Sequence, residues 1–261
     1  MATTEKKVLL EKRDGVAWAT LNDYEDARNA IGNEVSRAML EILEDVGKDD
    51  SIGVLCITGQ KNAFCAGMNL REMVARSEGT EPESIDMRDS IRAFSKVTMA
   101  VVNGFCVGGG ISLVADCDLA IASDKATFGL PEILRGAPPG RAMGEIGTTI
   151  SPKYAADMIL SGRNFSAEKA LIAGLVSRVV PHDQLYDDAH TWAKEIAGFN
   201  HTALYYCKIA VQHIQDRVTW KDRIAENQRI NEQMHNSGWA GQVEGGAQRF
   251  LQGDQGTKAN V

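Results

Sequence analysis

The stretch GFCVGGGISLVADCDLAIASDKATFGLPEILRG, residues 104–136, decides how this chain is read. Three consecutive glycines, Gly108, Gly109 and Gly110, stand between an apolar strand-like run and an apolar helix-like run. Ser112 follows two positions after the last of them, and Glu132 lies twenty residues further on in LPEI. A glycine run at a strand-to-helix junction removes the side chains that would hold a ligand away from the backbone. The first N–H groups of the helix lack intrahelical partners and sit at the positive end of the helix dipole. Such a junction can bind phosphate or stabilise an oxyanion formed during a reaction. Close packing of a helix on a strand calls for the same glycines. The run is neither G-x-G-x-x-G nor a P-loop with its Lys and Ser/Thr, which disfavours a nucleotide phosphate.

A second loop has the same character. FCAGMNL, residues 64–70, passes from an apolar strand through Ala66 and Gly67 into a helix start and offers a second backbone N–H at Met68. Two such donors can converge on one oxygen.

The flanking segments give the organisation. KVLLEKRDGVAWATLN, residues 7–22, predicts a hairpin around the RDG turn. Val35, Met39, Ile42, Leu43 and Val46 recur at helical spacing, with Gly47 as the expected stop. IGVLCITG, MAVVNG and CDLAIAS are apolar strands separated by helical segments, a pattern of parallel pairing with crossover helices. From about Pro152 onward the chain is expected to be almost wholly helical, ending in TALYYCKIAVQHIQ and TWKDRIAENQRINEQMHN. The expected division is an α/β core over residues 1–195 and a helical C-terminal region over residues 196–261.

Composition sets the outer limits. The 261 residues are 44% hydrophobic and 24% charged, as in an ordinary globular chain with a substantial core. The net charge of -7 and the dispersed basic residues argue against a nucleic-acid surface. No apolar run reaches the roughly 20 residues of a membrane span and the start does not read as a signal peptide, so the expected location is cytoplasmic. Cys56, Cys65, Cys106, Cys117 and Cys207 show no C-x-x-C spacing and are expected to be buried free thiols. The five histidines show no H-E-x-x-H spacing, so no metal is expected.

DARNAIGNEV near the start, FCAGMNLREM, the central glycine block through FGLPEILRG, and GLVSRVV together resemble the crotonase, or enoyl-CoA hydratase/isomerase, superfamily over nearly the whole chain. The resemblance implies an α/β fold, a crotonase-like β-β-α spiral core, with a helical C-terminal trimerisation region. It implies a homotrimer or homohexamer acting on an acyl-CoA thioester, with CoA part of the substrate and no separate cofactor. By the same resemblance the N–H groups of Met68 and Gly109 form the oxyanion hole, and Arg28 and Ala66 meet the CoA portion. Typical enoyl-CoA hydratases carry two glutamates; here the second is Glu132 and the first position is Ser112. A hydroxyl can position a water but is a poor base, which leaves the acid-base work to Glu132. Hydroxycinnamoyl-CoA hydratase-lyases show a similar serine-plus-glutamate pattern. The tyrosines with which they hold the phenol are replaced here by Met73 and Gln228, and a tryptophan by Arg135.

Hydration of an α,β-unsaturated acyl-CoA is therefore the first expectation, with retro-aldol cleavage as an extension. An isomerase using the single glutamate is the nearest alternative, and a non-catalytic crotonase-like binding protein is the alternative from another class. Arg135 and Arg141, beside GAPPG, are candidate readers of a polar acyl group, and Asn69 is expected to order its loop by hydrogen bonding.

Overall fold

The protein is described by a computed structural model, which covers residues 6–215 and Glu232. The N-terminal hairpin forms as expected. Strands β1 (Val8–Arg13) and β2 (Val16–Leu21) pair antiparallel. Between them Asp14 and Gly15 take φ of 52° and 78°, the double left-handed turn that suits the twist of a two-residue hairpin. A four-residue helix, α1 (Tyr24–Ala27), and the long α2 (Asn33–Lys48) follow. Val35, Met39, Ile42, Leu43 and Val46 are all buried. Gly47 does not end α2: it lies inside the last turn, where a Cβ would stand 3.5 Å from the Phe94 ring.

The chain then repeats one step. Each long inner strand runs through a short corner into a three-residue strand of a second sheet. Thus β3 (Val54–Gly59) leads to β4 (Ala63–Cys65), which opens into α3 (Leu70–Ser77) and α4 (Arg88–Arg92). Next, β5 (Val97–Val102) leads to β6 (Phe105–Val107) and α5 (Gly109–Asp116). Finally β7 (Leu119–Ser123) leads to β8 (Thr127–Gly129), a 3-10 helix (Pro131–Arg135) and α6 (Ala142–Thr149). Asn103 binds two successive corners together: its Nδ2 donates to Gly59 O and Lys61 O, both at 2.8 Å.

Beyond α7 (Pro152–Ser161) the chain is not purely helical. The two-residue β9 (Phe165–Ser166) precedes α8 (Ala167–Ala173), and β10 (Arg178–Val180) follows it. β10 pairs parallel with β7 through Ser177–Val180, a stretch too short to show alternation in sequence. Helices α9 (Leu185–Ala197) and α10 (His201–Gln215) close the described part. The expected helix around Trp220 lies outside the described residues, as does Gln228.

The first sheet has the order β1-β2-β3-β5-β7-β10 and the second β4-β6-β8-β9. In the first, alternate residues serve two separate cores. Leu55, Ile57, Ala100 and Val102 face the larger core, which also holds the α2 stripe and Ile111 and Leu113 of α5. Val54, Cys56, Met99 and Val101 face the other side, which Leu185, Ala189 and Ala193 of α9 cover at i, i+4, i+8 spacing. Burial on both faces explains why β3 and β5 read as unbroken apolar runs.

All five cysteines are free, but they are not all buried: Cys207 on α10 is exposed. Tyr205 and Tyr206 are also exposed on α10. Among the described residues no helix is long and apolar enough to cross a membrane.

Candidate active site

Three adjacent parallel strands, β4, β6 and β8, deliver the site. They pair side by side, Cys65 with Cys106 and Val107 with Gly129. Each ends at the same edge and releases a short segment there. Beyond β4 come Ala66, Gly67 and Met68; beyond β6, Gly108 and Gly109; beyond β8, Leu130, Pro131 and Glu132. The Gly108 N–H donates to Gly129 O at 3.0 Å, which ties the second and third segments together.

The two expected backbone donors are neighbours. A Cβ built on Gly109 would lie 3.3 Å from Met68 N, and one on Gly67 would lie 3.1 Å from Gly109 N. Gly67 and Gly108 take φ of 96° and 56°, a backbone region that side-chain-bearing residues rarely enter. Gly109 opens α5, so its N–H has no intrahelical acceptor. Next to Met68, Ile31 N donates to Gly67 O and Asn69 N donates to Ile31 O, while among the described residues Met68 N has no backbone acceptor.

Asn69 holds this loop in the expected way. As the N-cap of α3 it accepts from Arg71 N at 3.1 Å and from Glu72 N at 3.4 Å. Glu72 then reaches across to accept from Asn33 N at 2.9 Å, which fastens the loop to the start of α2. Arg28 and Ala66 are brought together through the backbone: Ala66 N donates to Arg28 O at 3.2 Å. Arg28 itself is exposed and sits in the left-handed region, φ 49°.

Glu132 occupies the first turn of the 3-10 helix, where Pro131 fixes the preceding φ and an acidic side chain meets the free N–H groups. A Cβ on Gly108 would lie 2.8 Å from Glu132 Oε1, so the carboxylate rests against the glycine backbone, one residue before the Gly109 donor. Its Oε2 is shielded from solvent and has no hydrogen-bond partner among the described residues. Burial pushes this carboxyl above the ordinary glutamate range, against the smaller pulls of its own backbone N–H and of Arg135. A carboxylate whose pKa is raised by burial is a stronger base than a solvated one.

Ser112 lies one turn into α5 and is fully buried, and its hydroxyl has no partner among the described residues. The two candidate acyl readers are already engaged. Arg141 is held by Asp89 at 2.8 Å, Asp116 at 3.5 Å, Asp86 at 3.6 Å and most closely by Glu145. Arg135 Nη1 donates to Pro131 O of its own helix at 3.5 Å. Met73 is 41% exposed on α3.

The buried acids Asp116 and Glu145 escaped the sequence reading. The signal for Asp116 was present: an acid four residues after Ser112 in an otherwise apolar helix.

The chain matches the enoyl-CoA hydratase/isomerase family over residues 11–255. It belongs to that family. With this membership the fold is the crotonase fold, and the chain is an enzyme of the enoyl-CoA hydratase or hydratase-lyase type. Among enoyl-CoA hydratase/isomerase relatives, it is 35% identical to a hydroxycinnamoyl-CoA hydratase-lyase of Pseudomonas fluorescens over 83% of this chain and 81% of that protein. It is 34% identical to a 2,3-dehydroadipyl-CoA hydratase of Escherichia coli K12, covering 80% and 83% of the two chains. A solved enoyl-CoA hydratase from Mycobacterium avium superposes with a TM-score of 0.75 at 30% identity, over 89% of this chain and 98% of that one.

Proposed function

We propose that this protein hydrates an α,β-unsaturated acyl-CoA thioester, with Glu132 as its single acid/base. The convergence of Met68 N, Gly109 N and Glu132 at the ends of β4, β6 and β8 is the observation that carries the reading. Water adds to the β-carbon as the double-bond electron pair moves through the α-carbon onto the carbonyl oxygen. The resulting enolate oxygen is met by the Met68 and Gly109 N–H groups, which stabilise it more than the neutral thioester. Glu132 takes the proton from water and delivers it to the α-carbon, so the carboxylate is restored at the end of the cycle. Ser112 orients the water. Arg28 and Ala66 meet the CoA portion, which enters as part of the substrate, and no further cofactor is needed. The proposed assembly is a homotrimer or homohexamer in the cytoplasm.

The test is mass spectrometry of the protein incubated with aliphatic and aromatic enoyl-CoA thioesters, beside Glu132→Gln. Gain of one water that disappears in the variant is the expected result. An aldehyde with acetyl-CoA extends the reading to retro-aldol cleavage, for which the hydratase-lyase relative is the precedent. A shifted double bond without mass change replaces hydration by isomerisation. No reaction with any thioester overturns the reading.

A further inference from the structure

The Met68 N–H shares one peptide plane with the Gly67 carbonyl, and in a trans peptide the two point in opposite directions. Whatever holds Gly67 O therefore aims the Met68 donor. Two groups hold it: Ile31 N donates to Gly67 O at 2.7 Å, and the Cys65 S–H donates to it at 3.8 Å. Cys65 Sγ in turn accepts from Gly67 N at 3.4 Å, so one thiol grips both the N–H and the C=O of the same glycine. This is the local side-chain-to-backbone turn usually made by Asn, Asp or Ser, here made with sulfur. Asn69 N donates to Ile31 O at 2.9 Å, which completes a parallel bridge between Ile31 and Met68. In a parallel ladder the residue between the two bonded positions turns its own N–H to the other side. On that side lies Gly109, where a Cβ would stand 3.3 Å from Met68 N.

Cys65 is placed to keep this grip. It is the last residue of β4 and fully buried. Burial pushes its thiol up to about 12, against the smaller pull of the Gly67 backbone, so at neutral pH it carries the hydrogen it donates. Gly67, at φ 96°, has the backbone freedom to turn its peptide in more than one way, so an outside restraint has something to do. The segment with the second donor rests on the same residue: a Cβ on Gly110 would stand 2.6 Å from Cys65 O and 3.0 Å from Cys65 Cβ.

We propose that Cys65 is a positioning residue: its thiol, gripping Gly67 N and Gly67 O together, holds the Gly67–Met68 peptide with the Met68 N–H turned toward the carbonyl oxygen of the substrate. No bond breaks, and the thiol stays reduced and protonated. Its catalytic consequence rests on the hydration reading, whereas the grip itself stands apart from that reading.

Three variants test it. Cys65→Ala removes the grip, and Cys65→Ser keeps a donor and an acceptor in its place. Cys106→Ala deletes an equally buried thiol from the neighbouring strand and controls for lost packing. Hydrogen exchange at Gly67 is expected to speed up about tenfold in Cys65→Ala and to stay near wild type in Cys65→Ser and Cys106→Ala. Wild-type exchange in Cys65→Ala, or equal acceleration in Cys106→Ala, overturns the proposal whether or not any thioester is turned over. With a saturated, non-reacting acyl-CoA isotope-labelled at its thioester carbonyl, infrared difference spectra are expected to show the C=O stretch lowered by the wild type, as much by Cys65→Ser, and less by Cys65→Ala. Equal lowering by Cys65→Ala overturns the proposal. In turnover, Cys65→Ala is expected to lose about fivefold in kcat at unchanged KM, the size of one modest hydrogen bond, and Cys65→Ser to regain most of it. A loss that serine does not restore overturns the proposal. A wild-type protein that neither lowers the stretch nor turns over any thioester sinks the hydration reading alone, and the exchange result then decides the grip.

Discussion

The Glu132 carboxylate lies against the α-carbon of Gly108, so close that a single added methyl group would stand 2.8 Å from Glu132 Oε1. Gly108→Ala therefore asks two things of the chain. Alanine must hold φ 56° with ψ -124°, outside the left-handed helical region, which costs on the order of 1–3 kcal/mol, and the carboxylate must move. The expected outcome is a modest fall in thermal stability with a disproportionate fall in kcat. Unchanged kcat in a folded Gly108→Ala protein would show that this contact does not set the position of Glu132.

Glu132→Gln removes a titrating group while keeping its shape. We expect kcat to fall by about 100- to 10,000-fold, the usual contribution of a positioned acid/base, with binding of a non-reacting acyl-CoA analogue unchanged. Because burial raises the Glu132 carboxyl, the wild-type kcat/KM should lose activity on the acid side at a pH above the ordinary glutamate range. An acid limb at ordinary solvated values would contradict the environment described for this side chain.

Asn69 caps α3 and thereby holds the Met68 loop. Asn69→Ala should cost about 1 kcal/mol in chemical denaturation, whereas Asn69→Asp, which still accepts from the same N–H groups, should cost less. Since Met68 is the preceding residue, the alanine variant should also lose kcat. A stability loss without any change in turnover would separate the cap from the oxyanion donor.

The raised carboxyl of Asp116, buried on α5, makes a prediction about folding. Its folded-state value is above its unfolded value, so the native protein binds the extra proton. The stabilising contribution is complete below the ordinary aspartate range of about 3.9 and is lost as pH rises through the raised folded value. Asp116→Asn should flatten that decline in a melting-temperature profile against pH. Parallel wild-type and variant profiles would mean that Asp116 titrates alike in both states.

Arg141 gives a counterpart. It meets four carboxylates, of which Asp116 and Glu145 have side chains only 1% exposed. Replacing it with Met removes the cation that the buried Glu145 holds most closely, a change that typically costs about 3–5 kcal/mol, so Arg141→Met should be among the most destabilising single substitutions in the α5–α6 region. A variant as stable as wild type would show that those acids are neutral without it.

The sequence was legible where one local rule governed a whole element. The Asp14-Gly15 hairpin, the α2 stripe from Val35 to Val46 and the apolar runs of β3 and β5 each carried their own pattern. The second sheet did not, because β4, β6 and β8 are three residues long and cannot display an alternation. Gly47 misled because a glycine can also sit inside a last helical turn, where α2 runs on to Lys48. At the site, the glycines and Glu132 could be found by motif and chemistry, but the engagement of Arg141 by Asp86, Asp89 and Asp116 depends on contacts between segments distant in sequence.

The side-by-side pairing of β4, β6 and β8 works as a ruler for the chemistry. One residue inserted into any of these short strands would slide a single site segment past its neighbours by about 3.3 Å, one strand step. That displacement is about the length of a hydrogen bond, enough to take a donor or the carboxylate out of reach. The exposed stretch after α3, residues 78–82, lies outside the strands, and the chain is fastened again where Asn33 donates to Glu83 O at 3.3 Å and accepts from Ile85 N at 2.9 Å. Length variation should thus be tolerated there and forbidden in the strands, so that homologues of this enzyme would diverge by indels in one place and by substitution alone in the other.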